Sequence, residues 1–296
     1  MSDALEDFHV IDMTDHERSG SGGSRARFHD SATAAAAFGF RQAPFADSVD
    51  PAFFFRTEAH ERAFALMRRA IDEHLALALT VAPSGTGKTL ISQILLSELD
   101  PARHEPILVL AYPGMSRVGL LREVAGELGV TDLGPRAPLH QVMAAVQDAI
   151  VALHRRGRKL VVIVDECHFL GVEPLQMVRT LSNIELPERK LVTLLRFGED
   201  SFLAKMDRPE YASLFNRMFI RARLRALDAD ETKQYVKFRC LVSGGRPNLF
   251  DDTFLAALHE RSKGIPREIN RLCHAAMAEA AGAGAKAVGP EHLPDM

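Results

Sequence analysis

The sequence predicts an α/β fold in which helices cover both faces of a parallel sheet, followed by a small all-helical C-terminal domain. Strand-like apolar runs at residues 76–81, 107–111, 160–164 and 191–197 are separated by helical stretches, an alternation typical of parallel sheets. The run 160–164 is apolar throughout, as expected of a strand buried on both faces. After about residue 226 the apolar spacing is helical, and no further strand is predicted there.

Apolar residues at helical spacing predict the helices that connect these strands. The first helix begins near Thr57, whose hydroxyl can cap it, while Glu58 and Glu61 favour the positive end of the helix dipole. The remaining helices are predicted over residues 88–99, 116–128, 140–155 and 174–181 in the sheet region and 230–241, 252–262 and 267–281 in the C-terminal domain.

Composition divides the chain into three parts. Residues 1–37 contain a Gly/Ser-rich stretch at 19–24 and an alanine run at 34–37, which predict a disordered N-terminal tail, with a tether or partner-binding segment as the alternative. Residues 38–225 carry the α/β pattern, and residues 226–296 carry the helical one.

The overall composition excludes several classes of protein. The 296 residues have a formal net charge of −3, so a nucleic-acid or membrane contact requires a local patch rather than bulk charge. Three cysteines, Cys167, Cys240 and Cys273, are too few and too scattered for a disulfide framework or a four-ligand zinc site. No run approaches the roughly 18 apolar residues of a membrane span. The acidic N-terminus does not resemble a signal peptide, so we expect a cytoplasmic protein without a membrane partner.

The segment at residues 82–89, between a predicted strand and a predicted helix, matches the phosphate-loop motif G-x-x-x-x-G-K-[ST] except that Ala82 replaces the first glycine. Gly85 and Gly87 allow successive N–H groups to face one concavity, and the helix start adds its positive end. Lys88 can bind the β and γ phosphates, and the Thr89 hydroxyl can bind Mg²⁺. We therefore expect ATP to contact Pro83, Ser84, Gly85, Thr86, Gly87, Lys88, Thr89 and Leu90.

An acidic pair, Asp165 and Glu166, directly follows the apolar strand at 160–164. The carboxyl ends of parallel strands line one crevice, so this pair is expected beside the phosphate loop. Asp165 is predicted to hold Mg²⁺ and Glu166 to polarise the attacking water. The string Asp-Glu-Cys-His superficially resembles a helicase box, but no second RecA-like unit follows. We expect His168 to form local hydrogen bonds rather than to be a ligand.

Three arginines are candidates for stabilising charge on the transferred phosphate. Arg217, with Arg221 as second choice, is predicted to reach the nucleotide of a neighbouring subunit. Arg267 follows Pro266 at the predicted start of a helix, where a cation is electrostatically disfavoured. That unfavourable position suggests that Arg267 reaches the γ-phosphate from the helical domain.

Two further basic features have a structural and a functional interpretation. The run at residues 154–159 lies at a predicted helix end, where cations suit the helix dipole. Arg117, after the second strand, is predicted to lie on the surface, with contact to a nucleic-acid backbone as the alternative.

Together these motifs resemble the AAA+ ATPases of the ExeA/GspA-like group and are similar to the transposition regulators TnsC, TniB and MuB. The resemblance covers residues 38–295 and rests on the loop 82–89, the strand with Asp165 and Glu166, Gly198-Glu199, Asn216-Arg217 and the segment 264–270. It implies a P-loop αβα sandwich with a helical lid, assembling into rings or filaments with nucleotide between subunits.

The resemblance also implies roles for single residues. Lys88 and Thr89 match the Walker A pair, Asp165 and Glu166 the Walker B pair, Arg217 the trans-acting arginine and Arg267 the second sensor. Glu199 departs from the pattern, because an ionised carboxylate cannot donate a hydrogen bond at the first sensor position. Either Thr193 or Arg196 substitutes for it, or hydrolysis is slow.

These features favour an ATP-hydrolysing homo-oligomer that contacts the backbone of duplex DNA. Its expected role is that of a transposition regulator recruiting a protein partner such as a transposase or target selector. One alternative is an ATPase of secretion or the cell envelope, as the ExeA resemblance implies. Another is a nucleotide-switched scaffold that hydrolyses ATP poorly, as Glu199 suggests.

Overall fold

The computed structural model describes residues 31–187, 189–211 and 220–294. Its strands are β1 (Leu77–Ala82), β2 (His104–Leu110), β3 (Lys159–Asp165), β4 (Glu185–Leu186), β5 (Arg189–Lys190), β6 (Val192–Glu199) and β7 (Ile220–Arg223). Five of these described strands form a parallel sheet in the order β2, β3, β6, β1, β7, and β4 pairs with β5 in a short antiparallel ribbon. The predicted parallel sheet is therefore confirmed.

The described helices are α1 (Ser31–Ala37), α2 (Glu58–Asp72), α3 (Lys88–Glu98), α4 (Arg117–Glu127), α5 (Leu139–Arg155), α6 (Val172–Ser182), α7 (Ser201–Met206), α8 (Ala229–Val242), α9 (Asp252–Ser262) and α10 (Pro266–Gly282). Within the described ranges, no helix has the length and apolar character that crossing a bilayer requires.

Helices cover both faces of the sheet, as an αβα sandwich requires. One face, represented by Leu79 and Val162, packs against α4, α5 and α6. The other, represented by Ala78 and Ile163, packs against α2 and α3. Every residue of β3 is buried, because this strand has a neighbour on each side and a helical layer on each face.

The fifth strand of the sheet, β7, was not predicted. Its four residues alternate between the buried side chains of Ile220 and Ala222 and the exposed side chains of Arg221 and Arg223. So short and polar a pattern is not distinctive in the sequence. Tertiary pairing with β1 stabilises β7 as an edge strand.

The C-terminal helices and the N-terminal segment share a separate hydrophobic cluster. The aromatic side chains of Phe38, Phe40 and Phe45 pack there against α8, α9 and α10 rather than against the sheet. Ala34 and Ala35 of α1 are also buried, so the predicted disorder up to residue 37 is wrong for residues 31–37, which form a helix. Residues 1–30 lie outside the described part of the chain.

Candidate nucleotide site

The loop between β1 and α3 has the backbone shape that the phosphate-loop motif predicted. Gly85 and Gly87 have φ values of +77° and +97°, in the left-handed region that glycine adopts at little cost. Gly87 is the N-cap of α3, so the positive end of that helix points toward the loop. Together these features form a concavity suited to an anion.

Lys88 is buried at the base of this loop. Its Nζ atom donates hydrogen bonds of 3.2 Å to the carbonyl oxygens of Ala82 and Pro83. No carboxylate among the described residues forms an ion pair with it. The ammonium charge is therefore available to a phosphate group.

Thr89 and Asp165 bring the two predicted motifs together. The Thr89 hydroxyl donates a 2.9 Å hydrogen bond to Oδ2 of Asp165, which is buried at the end of β3. The second carboxylate oxygen of Asp165 accepts a 2.8 Å hydrogen bond from the amide of Glu166. A hydroxyl and a carboxylate in contact are the oxygen donors that Mg²⁺ prefers, so this pair fits the expected ion.

Glu166 has a backbone conformation that non-glycine residues rarely adopt. Its φ of +52° lies in the left-handed region, and the residue lines the cavity beside the loop. Its Oε2 atom lies 3.2 Å from Nδ1 of His168, and Nε2 of His168 lies 3.8 Å from Oε2 of Glu199. The carboxylate of Glu166, the predicted base, thus faces the cavity, and the imidazole of His168 lies on its other side.

The cavity itself lies between the sheet and the C-terminal helices and has a volume of about 370 Å³. The phosphate loop forms one wall, and Arg267 and Asn270 of α10 form part of another. The amide of Arg267 donates a 3.2 Å hydrogen bond to the carbonyl oxygen of Gly85. The first turn of α10 therefore lies against the loop, and the reach of the Arg267 guanidinium to a γ-phosphate stays a prediction.

His60 is a site residue that sequence reasoning missed. Its Nδ1 atom lies 2.7 Å from the Thr57 hydroxyl, and its Nε2 atom lies 3.0 Å from the carbonyl oxygen of Thr86 in the loop. Burial lowers the pKa of His60, although the hydrogen bond to Thr86 opposes that effect. The sequence signal is weak, because a histidine in the first turn of a helix usually faces solvent and the loop lies 26 residues away.

The segment before α2 forms a further wall that the sequence did not predict. Asp47, Val49 and the aromatic residues Phe53 and Phe54 line the cavity together with Tyr235 and Arg239 of α8. Such flat apolar side chains suit a nucleobase, whereas the loop suits its phosphates.

The structure does not bring every predicted residue to this site. Arg217 lies outside the described residues. The substitutes suggested for the first sensor do not line the cavity: Thr193 donates to the carbonyl oxygen of Leu75, and Arg196 is fully buried within the sheet. None of the three guanidinium nitrogens of Arg196 has a hydrogen-bond partner in the described part of the chain, and burial lowers its pKa.

The remaining basic candidates form ion pairs, are buried or lie away from the cavity. Arg117 is exposed in the first turn of α4, with its Nε atom 3.8 Å from Oε2 of Glu173. In the run 154–159, Arg158 forms a 2.6 Å ion pair with Glu105 and Lys159 is buried. Arg221 lies in β7 and is not among the residues lining the cavity.

The sheet order and the loop between β1 and α3 are those of the parallel α/β P-loop ATPase fold. Residues 71–206 match a family model, AAA_22, described as an AAA domain. General secretion pathway protein A from Aeromonas hydrophila is 30% identical over 240 residues, which cover 81% of this chain and 43% of that protein. The chain thus spans less than half the length of this relative.

Solved structures show the same fold. The Aeropyrum pernix ORC2 protein, in ADPNP and ADP complexes, has a TM-score of 0.64 at 16% identity, covering 84% of this chain and 69% of that one. The Aeropyrum pernix ORC1 protein in complex with DNA has a TM-score of 0.64 at 20% identity, covering 86% and 67%. A RuvB variant from Thermotoga maritima has a TM-score of 0.52 at 17% identity, covering 81% and 67%.

The chain thus resembles an AAA domain over residues 71–206 and general secretion pathway protein A over 240 residues. The predicted similarity to the ExeA/GspA-like group is therefore supported. The similarity to transposition regulators stays a prediction.

Proposed function

We propose that this chain binds and hydrolyses Mg·ATP at the junction of the sheet and the C-terminal helices, and that the nucleotide controls its assembly. The observation that carries the proposal is the 2.9 Å hydrogen bond between Thr89 and Asp165. It joins the phosphate loop to the acidic end of β3 at a cavity that Glu166 and Arg267 also line. Such a junction would bring the phosphates of a bound nucleotide next to an acidic edge and a potential base.

Binding relies on groups that are already oriented. Amide groups of residues 84–88 surround the phosphates, and Lys88 exchanges its two carbonyl contacts for phosphate oxygens. The left-handed φ values of Gly85 and Gly87 are present without ligand, so little backbone reorganisation opposes binding.

Hydrolysis then requires a water in line with the γ-phosphorus. Glu166 accepts a proton from that water while the water oxygen bonds to the γ-phosphorus. The bond between the γ-phosphorus and the β–γ bridging oxygen breaks at the same time. The bridging oxygen leaves with ADP, and inorganic phosphate is the second product. Thr89 and Asp165 would hold Mg²⁺, which neutralises charge on the phosphates when bound.

Arg267 links this chemistry to the position of the helical domain. A guanidinium that binds the γ-phosphate loses that contact when the phosphate leaves, so the ATP and ADP states favour different lid positions. We propose in addition that Arg217 acts on the nucleotide of a neighbouring subunit in a ring or filament. Mixing Arg217→Ala subunits with Lys88→Ala subunits then restores part of the activity, because each supplies what the other lacks. No restoration contradicts action in trans.

We propose duplex DNA as the surface on which this assembly forms, with a transposase or target selector as the recruited protein. The fold similarity to the ORC1 protein solved with DNA supports the DNA part of this proposal. Electron microscopy of the protein with an ATP analogue, with and without duplex DNA, tests it. Ordered particles that lengthen on DNA and dissociate at high salt support it, and identical particles in both samples contradict it.

A second candidate is a role in secretion or at the cell envelope. The 30% identity to general secretion pathway protein A favours it. Affinity purification from cells distinguishes the two: recovery of envelope proteins with no DNA stimulation of ATP turnover supports the secretion role.

A third candidate is a nucleotide-switched scaffold, which the carboxylate of Glu199 near Glu166 favours. Negligible ATP turnover, together with ATP-dependent assembly that Glu166→Gln leaves unchanged, would support this candidate.

A further inference from the structure

Three ligand-type side chains converge behind the predicted catalytic base, and we refer to Glu166, His168 and Glu199 as the Glu–His–Glu cluster. One ligand atom from each residue lies within 4.8 Å of the other two. Within the cluster, Glu166 Oε2 is 3.2 Å from His168 Nδ1, and His168 Nε2 is 3.8 Å from Glu199 Oε2. The 3.2 Å separation is close to that between neighbouring ligands of a bound metal ion, since metal–ligand bonds to imidazole and carboxylate are about 2.0–2.2 Å long. The two nitrogens of one imidazole point apart, so a single ion would bind His168 through Nδ1, on the side of Glu166, and the carboxylate of Glu199 would turn toward it.

Two atoms of this cluster are buried without a hydrogen bond. Oε2 of Glu166 and Nδ1 of His168 have no hydrogen-bond partner among the described residues. The His168 side chain is only 10% exposed, so water does not compensate Nδ1. Polar atoms buried in this way are costly unless another group satisfies them. The carboxylates of Glu166 and Glu199 remain 30% and 34% exposed, which leaves a route for a small ion.

The fold holds the three side chains in place. Glu166 and Glu199 follow or end the neighbouring strands β3 and β6, and a short helical turn, Cys167–Phe169, places His168 between them. Cys167 packs so closely under Gly198 that a Cβ atom at Gly198 would lie 2.8 Å from its sulfur. The backbone of the two strands and of the turn therefore fixes the positions from which the three side chains of the cluster extend.

We propose that the Glu–His–Glu cluster is a binding site for a divalent transition-metal ion such as Zn²⁺, separate from the oxygen ligands Thr89 and Asp165. Imidazole together with carboxylates suits ions of this class, whereas Mg²⁺ prefers an all-oxygen set. Cys167 is not among the three residues whose ligand atoms lie within 4.8 Å of one another. This site replaces the sequence-based expectation that His168 is only a local hydrogen-bonding residue.

Metal binding here would weaken Glu166 as a base, because an ion bound to Oε2 withdraws negative charge from the whole carboxylate, including the oxygen that faces the cavity. This consequence rests on the proposed ATPase function, whereas binding of the ion does not. We expect Zn²⁺ to inhibit turnover while leaving Mg·ATP affinity within about twofold.

Titration of the chelator-treated full-length protein with Zn²⁺ by calorimetry, and with Co²⁺ by visible absorption, tests the site. We expect one high-affinity ion per chain and a visible band of Co²⁺ bound through nitrogen and oxygen. Glu199→Gln keeps the shape of this partly exposed side chain but removes its charge. It should weaken Zn²⁺ binding at least about tenfold, since even residues that only hydrogen-bond to metal ligands contribute that much to metal affinity. His168→Asn should do the same, and circular dichroism confirms that it folds.

Two variants serve as controls. Glu291→Gln removes a carboxylate that lies 3.2 Å from His292 outside the cluster and should leave Zn²⁺ affinity unchanged. Asp165→Asn alters the predicted Mg²⁺ site and should also leave it unchanged. Absence of high-affinity Zn²⁺ binding, or binding that Glu199→Gln does not weaken, overturns the site without affecting the proposed ATPase. Zn²⁺ binding at the cluster in a protein without ATP turnover keeps the site and contradicts the proposed function instead.

Discussion

The amide of Arg267 donates a 3.2 Å hydrogen bond to the carbonyl oxygen of Gly85, joining the first turn of α10 to the phosphate loop. A Cβ atom at Gly85 would lie 2.8 Å from Cβ of Arg267 and 3.1 Å from Cγ2 of Ile265. The loop and the helical domain therefore approach each other at a position where only a hydrogen atom fits.

Gly85→Ala should weaken both folding and ATP binding. The left-handed φ of +77° costs a non-glycine residue roughly 1–2 kcal/mol, and the methyl group also displaces Arg267. Gly114→Ala is the matched control, since Gly114 has a φ of +83° but no atom within 4 Å of an added Cβ. Denaturant unfolding and calorimetry with Mg·ATP measure both effects. Equal losses of stability in the two variants, with unchanged ATP affinity, would show that the contact with Arg267 is unimportant.

Lys88→Ala should abolish measurable ATP binding. The buried ammonium is the cation closest to the loop carbonyls of Ala82 and Pro83, and the variant leaves the phosphates without it. Lys286→Ala removes an exposed lysine that does not line the cavity and should bind normally. Calorimetry with Mg·ATP measures the affinity of both variants. Full affinity in Lys88→Ala would refute the assignment of residues 82–89 as a phosphate-binding loop.

Glu166→Gln should preserve ATP binding and stop hydrolysis. The amide has the shape of the carboxylate but cannot accept the proton of the attacking water, a loss of roughly 10²–10⁴ in rate. Glu173→Gln, at an exposed position in the first turn of α6, should leave the rate unchanged. Phosphate release at saturating ATP measures the rate, and normal turnover in Glu166→Gln excludes Glu166 as the base.

The free energy of unfolding should fall as the pH drops below about 6.5, partly because of His60. Burial lowers the pKa of His60 in the folded protein, so the unfolded chain binds a proton at a higher pH than the folded chain does. The stabilisation that the neutral His60 contributes is therefore fully present above the ordinary histidine pKa of 6.5 and is lost as the pH falls below it. His60→Gln should reduce the difference between unfolding at pH 7.5 and at pH 5.5, whereas His140→Gln, at an exposed position, should not. An unchanged difference in His60→Gln would refute this account.

Local patterns predicted most of the sheet and the phosphate site. The run at 160–164 is buried along its length, and the left-handed turns of the motif at 82–89 occur at glycines within the motif itself. Asp165 was predicted beside this loop because parallel strands end at one edge, and its contact with Thr89 agrees with that reasoning.

Long-range contacts account for what the sequence did not predict. His60 touches the loop only because α2 packs beside it, and no short pattern carries that information. Phe40 and Phe45 precede the first predicted helix, but their packing partners lie some 200 residues later, on the C-terminal helices.

Arg239 connects the start of the chain to the wall of the nucleotide cavity. Its guanidinium donates to the carbonyl oxygens of Pro44 and Ala46 and lies 4.3 Å from the centroid of the Phe53 ring. One guanidinium therefore couples the backbone of residues 44–46 to the aromatic wall of the cavity, so that a shift of either one would displace the other.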